Sequence, residues 1–192
     1  MKFENLLLSI KSRQEFRQWL TKNSATEKEC WVASKRGKPI DKVNLWYLDA
    51  VEEALCFGWI DSIHKRIAGV LMQRFSPRRI NSNWTELNKE RVRRLERLGL
   101  MTDAGRAVLP NMDVSTFAIE ADIVIALKNA DIWEIFKSFP PLYQRIRASN
   151  VSFYKERNIS LYIKALKHLV DETKKGKLFG NWNDYGRLSS NV

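Results

Sequence analysis

The strand-forming segments of this 192-residue chain are confined to its first 80 residues, and this confinement limits the folds open to it. Residues 29–35, 59–63 and 70–75 are short apolar runs of the strand type. From about residue 120 onward the spacing of the apolar residues is helical. Strands that cluster in one region do not alternate with helices as a parallel βαβ sheet requires. The pattern therefore predicts an α+β fold with a small antiparallel sheet, packed helices and an all-helical C-terminal region.

Helical patterns occupy most of the remaining chain. Ser12 and Glu15 have the spacing of a capping box, which predicts a first helix over residues 12–23. Ala68-Gly69, between the last two strand segments, predicts the turn of a β-hairpin. The apolar spacing and the Gly and Pro residues predict further helices over residues 44–57, 84–98, 102–109, 120–129, 130–139 and 157–175, and one that starts at Pro140-Pro141.

These elements divide the chain into three parts. We predict an α+β N-terminal region over residues 1–112, a helical C-terminal module over residues 113–178 and an irregular tail over residues 179–192. A helical unit of this size has a marginal core when it stands alone. We therefore expect the module to pack on the N-terminal region.

Positive charge exceeds negative charge by 11 and is concentrated in two blocks. Residues 62–106 contain 11 basic and 4 acidic side chains, and residues 128–192 contain 12 and 6. The intervening residues 107–127 contain 3 acidic side chains and no basic one. Basic blocks attract polyanions such as nucleic acid or anionic lipid headgroups, although the same charge also suits a merely solvated surface.

The chain has the features of a protein of the reducing cytoplasm. Cys30 and Cys56, the two cysteines, each lie in an apolar run, so we expect buried thiols and no disulfide. The apolar run at residues 6–10 is too short for a secretory signal, and no window reaches the ~20 apolar residues of a membrane span. The sequence therefore predicts a cytoplasmic protein without a transmembrane segment.

No pattern of residues predicts a metal site, a cofactor site or a catalytic residue. His64 and His168 are the only histidines, and they are far apart in the sequence and in different predicted elements. The sequence has neither the glycine-rich loops that hold nucleotide phosphates nor the Gly-x-Ser-x-Gly turn of hydrolases. We therefore favour a protein that is not an enzyme and has no cofactor or metal, and we leave its oligomeric state open.

The hairpin region nevertheless contains residues that could bind an anion. Asp61 ends its first strand segment, and Arg74 and Arg78 flank the end of its second, so Asp61 is expected to pair with one arginine. The other arginine and the first N–H groups of the next helix would then hold a phosphate or carboxylate. The alternative is structural, with the tryptophans in the core and the charges only fixing the hairpin. The candidate ligand-binding residues are Trp59, Asp61, Arg74, Arg78, Trp84 and Asn88.

The same region resembles a known bacterial family. The most distinctive strings are Gly-Trp-Ile-Asp at residues 58–61 and Arg-Phe-Ser-Pro-Arg at residues 74–78. Together with the segments 82–84, 88–91 and 98–105, in this order and spacing, they resemble the YdeI/OmpD-associated family, also labelled bacteriocin-protection. The resemblance extends over residues 12–178. It implies tolerance of bacteriocins or cationic peptides, and it implies no catalytic residue.

Three functions are compatible with these observations. The first is a non-enzymatic stress or antimicrobial-peptide-tolerance factor of the YdeI/OmpD-associated type that binds an anionic or protein partner. The second is a nucleic-acid-binding protein that uses the two basic blocks. The third is a small-molecule enzyme with a pocket at Trp59, Asp61 and Arg78. We take the first as the hypothesis and keep the other two as alternatives.

Overall fold

The structure is a computed structural model that describes residues 5–189. Within that range it has a four-stranded sheet and eight α-helices, so the predicted α+β fold class with a helical C-terminal region is confirmed. The described residues form two compact units. The first comprises residues up to 83 together with 91–111, and the second comprises residues 84–90 together with those from 112 onward. The packing of the C-terminal module on the N-terminal region stays a prediction.

The first unit contains all of the strands. Its elements, in chain order, are β1 (Leu6–Leu7), α1 (Arg13–Asn23), β2 (Cys30–Ala33), α2 (Tyr47–Cys56), β3 (Trp59–Ile67), β4 (Val70–Pro77), the part of α3 (Glu86–Arg97) from residue 91, and α4 (Asp103–Arg106). The second unit contains the start of α3, a 3₁₀ turn (Val114–Thr116), α5 (Ala121–Asn129), α6 (Trp133–Ser138), α7 (Pro141–Ser152) and α8 (Ile159–Lys174). No helix among residues 5–189 is both long enough and apolar enough to cross a membrane.

The sheet has the strand order β1-β2-β4-β3. Strands β2, β4 and β3 pair antiparallel, as predicted, but β1 pairs parallel with β2, so the sheet is mixed. The sequence did not predict β1, because a strand of two residues has no detectable alternation. The predicted hairpin joins β3 to β4 through Ala68 and Gly69, whose φ values of 47° and 81° are those of a type I′ turn.

The register of the hairpin determines which side chains share a face. Asp61 of β3 and Cys30 of β2 both lie opposite Phe75 of β4, and directly opposite residues have their side chains on the same face. Phe75 is buried against Phe16 of α1, with ring centroids 5.4 Å apart, so this is a face that helices cover. Because side chains alternate along a strand, Arg74 lies on the opposite face from Phe75 and Asp61.

Helix α2 buries three carboxylates among its apolar side chains. Asp49 and Glu53 are buried, and Glu52 has no exposed surface. A buried carboxylate requires a cation beside it, and arginines of α1 and α3 supply that charge. The ion pairs of this α2 network, with their N–O distances, are Arg13–Asp49 (3.2 Å), Arg13–Glu52 (2.7 Å), Arg13–Glu53 (2.6 Å), Arg17–Glu53 (2.7 Å) and Arg94–Glu52 (3.0 Å).

The C-terminal end of α2 is closed by residues far along the chain. The Cys56 carbonyl oxygen accepts hydrogen bonds from the backbone N–H of Thr102 (3.1 Å) and from its hydroxyl (2.6 Å). Gly105 of α4 packs on the same carbonyl, since a Cβ at Gly105 would lie 2.2 Å from the Cys56 oxygen. Gly58 has a φ of +73°, and a Cβ there would lie 2.8 Å from the carbonyl oxygen of Ala104. Gly58, Thr102 and Gly105 therefore have packing roles.

Cys30 and Cys56 are unbonded thiols without exposed surface, as the sequence predicted. Burial raises the pKa of both thiols, and together with the negative charge of Glu53 it raises the pKa of Cys56 to about 12. Because the thiolate is the nucleophilic form, neither sulfur is reactive at neutral pH.

The second unit has a hydrophobic core of its own, built by α5 to α8. Its fully buried side chains include Ile123, Leu127, Phe136, Tyr143 and Leu169. Phe179 and Trp182 lie in the segment that the sequence predicts to be an irregular tail. Their rings nevertheless contact the Tyr143 ring edge-to-face, with centroid distances of 6.1 and 5.6 Å. Part of this tail therefore packs on the core of the second unit.

Candidate functional site

Tyr47 and Asp61 form a hydrogen-bonded pair between α2 and β3. The Tyr47 hydroxyl donates to Asp61 Oδ2 over 2.6 Å. Tyr47 is the first residue of α2, and Asp61 is on the face of the sheet that it shares with Phe75, so the register of β3 brings the two side chains together. Burial raises the pKa of Tyr47 to about 12, and the charge of Asp61 acts in the same direction. At neutral pH the Tyr47 hydroxyl therefore stays protonated and donates its hydrogen bond to Asp61.

Three arginines of the first unit act on this pair. The Arg36 guanidinium lies over the Tyr47 ring, 3.7 Å from its centroid, and its Nη2 donates to Gln73 Oε1 over 2.9 Å. The positive charge of Arg91 lowers the pKa of Tyr47, whereas burial and the charge and hydrogen bond of Asp61 raise it. Arg78 is close enough to Asp61 for the carboxylate to stabilise its charge. We call Tyr47, Asp61, Arg36, Arg78, Arg91 and Gln73 the Tyr47–Asp61 site.

Arg78 is the buried cation of this site. Its side chain is only 7% exposed, and its Nη1 donates to Ser82 Oγ and to the Asn83 carbonyl, each over 3.2 Å. Burial lowers the pKa of Arg78 to about 10, and the attraction of Asp61 offsets only part of this effect. The charged form of Arg78 is therefore less favourable than in water, and further negative charge nearby would stabilise it.

Gln73 connects the site to an irregularity in the hairpin. The pairing of β3 with β4 shifts register between Asp61 and His64. Gln73, which is buried, donates from Nε2 to the Ile63 carbonyl inside this irregular stretch over 3.1 Å and accepts from Arg36. The Gln73 amide therefore holds in place both the irregular stretch of β3 and the Arg36 guanidinium. A β-bulge beside a functional site commonly re-aims a side chain in this way.

Arg74 does not pair with Asp61, which was one of the two pairings expected. Its guanidinium instead makes an ion pair with Glu29 at 2.6 Å and donates to Ser62 Oγ over 3.2 Å. The reason is the alternation of β4, which places Arg74 and Asp61 on opposite faces of the sheet. The structure thus brings Arg78, and not Arg74, to Asp61.

Trp59 belongs to the core of the first unit, and Trp84 and Asn88 belong to the second unit. Trp59 is buried, its Nε1 donates to the Ser24 carbonyl over 3.2 Å, and its ring meets Trp19 edge-on, so it is a core residue rather than a wall for a ligand. Trp84 and Asn88 are half-buried residues of the second unit. The backbone N–H of Asn88 donates to Thr85 Oγ1 over 3.2 Å at the start of α3. Of the six predicted residues, Asp61 and Arg78 belong to the Tyr47–Asp61 site.

Sequence reasoning missed Tyr47, Arg36, Gln73 and Arg91. None of them has a spacing that predicts a site, because they come from a loop, a helix start, a strand and a second helix. Gln73 had one available signal, since a polar residue in an otherwise apolar strand segment needs a partner when its position faces the core. The other three are brought together only by the tertiary structure of the first unit.

A family model described as a domain of unknown function, DUF8412, matches residues 8–108. The chain belongs to this family. Every residue of the Tyr47–Asp61 site lies within the part that DUF8412 covers. No curated protein and no solved structure matches the chain.

The residues of the Tyr47–Asp61 site have side chains suited to binding an anion. Arginine guanidinium groups bind carboxylate and phosphate oxygens in a planar, bidentate geometry. The Tyr47 hydroxyl stays protonated at neutral pH and serves as a donor. Among residues 5–189 there is no cluster of three or more His, Cys, Asp or Glu side chains that could hold a metal ion.

The second unit also has a cavity, of about 260 Å³, lined by Thr85, Asn150, Phe153 and Tyr154. This volume is below the range of ~300–1,000 Å³ that is typical of ligand pockets. Its Thr85 hydroxyl already accepts the Asn88 N–H. The Tyr47–Asp61 site is therefore the stronger candidate.

Proposed function

We propose that the protein binds an anionic ligand, through a carboxylate or phosphate group, at the Tyr47–Asp61 site. The observation that carries the proposal is the convergence of three guanidinium groups on one hydrogen-bonded pair. Arg36 lies over the Tyr47 ring, and the charges of Arg91 and Arg78 act on Tyr47 and Asp61. A bound anion would interact favourably with this concentration of positive charge. Partial burial strengthens such interactions relative to water.

The arginines would have different parts in binding. Arg36 is exposed, and the Tyr47 ring and Gln73 orient its guanidinium, so it would meet the ligand with little loss of side-chain freedom. Arg78 would act from the buried side through its charge. Because an anion would stabilise the charged form of Arg78, binding should also stabilise the folded protein.

The test compares how strongly an anion stabilises the wild-type protein and the Arg36→Gln variant. We expect phosphate or citrate to raise the melting temperature of the wild-type protein above that in sodium chloride of equal ionic strength. Arg36→Gln should weaken this effect so that about ten times more anion is needed, since a charge-assisted hydrogen bond contributes ~1.5–3 kcal/mol. Differential scanning fluorimetry across an anion titration measures both quantities.

Lys38→Gln is the matched control, because Lys38 is an exposed cation of the same loop and the charge change is the same. It should leave the anion response at the wild-type value. An equal response of the wild-type protein to chloride, or an Arg36→Gln response equal to that of Lys38→Gln, would contradict the proposal.

For the physiological role we propose what the resemblance to the YdeI/OmpD-associated family implies, a non-enzymatic part in stress or antimicrobial-peptide tolerance in the cytoplasm. Bacteria that express the wild-type protein should survive a cationic antimicrobial peptide better than bacteria with Arg36→Gln at the same protein level, because the tolerance would depend on the anionic partner. Colony counts after peptide exposure measure this difference. Equal survival of the two strains would show that the Tyr47–Asp61 site does not contribute to tolerance of the peptide.

A further inference from the structure

We propose that the tip of the β3–β4 hairpin, residues 63–71, docks on an anionic lipid bilayer. This inference does not depend on the Tyr47–Asp61 site. Three exposed aliphatic side chains mark the tip: Ile63 is 51% exposed, and Val70 and Leu71 are each 40% exposed. Two exposed cations, Lys65 and Arg66, lie between them along the chain.

The charged residues within the tip, residues 63–71, are all basic. Residues 62–85 contain five Lys and Arg residues and no Asp or Glu. Each basic residue close to an anionic membrane surface favours binding, and buried apolar side chains provide the second contribution that stable docking requires. The tip supplies both contributions within nine residues.

The register places an aliphatic and a basic side chain on both faces of the tip. Arg66 lies opposite Leu71, so these two share one face. Lys65 and Val70 share the other face, because Val70 lies opposite Ile67, two residues after Lys65. The type I′ turn at the apex has only the small residues Ala68 and Gly69. This distribution suits insertion of the tip end-on, with Val70 and Leu71, the aliphatic residues nearest the apex, below the headgroups and Lys65 and Arg66 among the headgroups.

Two other binding partners, single-stranded nucleic acid and a second copy of the chain, fit the tip less well. Single-stranded nucleic acid is bound mainly by stacking on exposed aromatic rings, but residues 62–71 contain no Phe, Tyr or Trp, and Trp59 and Phe75 of the hairpin are buried. A second copy could add a strand to β3, which is at the edge of the sheet. That pairing would bring together the Lys65 and Arg66 side chains of two chains, and like charges protect sheet edges from such contact.

Cosedimentation with lipid vesicles tests the proposal on the full-length protein. We expect binding to vesicles of phosphatidylcholine and phosphatidylglycerol at about 0.15 M salt, and no binding to phosphatidylcholine alone. The double variant Lys65→Glu/Arg66→Glu should weaken binding about tenfold or more. Val70→Ser/Leu71→Ser, which leaves all charges in place, should also weaken it about tenfold, because it removes the apolar contribution.

Lys164→Glu/Lys167→Glu is the matched control, since it reverses two exposed lysines of the second unit and makes the same change in net charge. It should bind vesicles within about twofold of the wild-type protein, and every variant should keep the wild-type melting temperature. The proposal is overturned if the wild-type protein does not sediment with anionic vesicles, if the serine variant binds as well as wild type, or if labelled single-stranded DNA binds the tip in preference to the vesicles.

Discussion

Gly105→Ala is expected to destabilise the first unit by about 3 kcal/mol, although α4 is a helix and alanine is the better helix former. Helix propensity favours alanine over glycine by ~1 kcal/mol. The added methyl group, however, would lie 2.2 Å from the Cys56 carbonyl oxygen and 3.0 Å from Met101 Cε. The obstacle at Cys56 is backbone, which cannot move without disturbing the end of α2, and overpacking of this kind costs ~1–3 kcal/mol or more. Urea denaturation measures the free energy of unfolding.

Gly99→Ala is the control for this prediction. Gly99 has a φ of +66°, but a Cβ there would meet nothing within 4 Å, so only the left-handed backbone conformation opposes the substitution. It should cost about 1–2 kcal/mol. If Gly105→Ala destabilises the protein no more than Gly99→Ala does, the close contact of α4 with α2 is not a constraint on the fold.

Glu52→Ala is expected to cost about 3–5 kcal/mol through the α2 network. Glu52 has no exposed surface and holds Arg13 at 2.7 Å and Arg94 at 3.0 Å. Removing one partner of a buried ion pair leaves the other charge insufficiently compensated in a region with little water, and such changes cost ~3–5 kcal/mol. Arg94, whose side chain is 17% exposed, would lose the carboxylate at 3.0 Å. The free energy of unfolding in urea again provides the measurement.

Glu96→Ala makes the same chemical change at an exposed pair of the same unit. Glu96 and Arg106 are 2.8 Å apart, but their side chains are 47% and 44% exposed, so the pair should contribute less than about 1 kcal/mol. A loss of stability in Glu52→Ala that matched the loss in Glu96→Ala would show that burial adds nothing to the network. Glu52→Gln, which keeps the shape of the side chain, separates the effect of charge from that of a cavity.

Local pattern was sufficient to predict the eight α-helices and three of the four strands among residues 5–189. The capping box at Ser12 and Glu15 is present, and the hairpin turns at Ala68 and Gly69. The confinement of strands to the first 80 residues, followed by helical spacing, predicted the α+β class. These features depend on the conformational preferences of residues close together in the chain, which a sequence contains directly.

The partners of the charged residues were decided by tertiary structure alone. Whether Asp61 meets Arg74 or Arg78 depends on the register of two strands, because a shift of one residue exchanges the faces of the sheet. The contact of Gly105 with the Cys56 carbonyl and the position of Arg36 on the Tyr47 ring join elements that have no common pattern in the sequence. Residue types and spacing therefore determined which elements form, and only the packing of those elements decided which side chains make the Tyr47–Asp61 site.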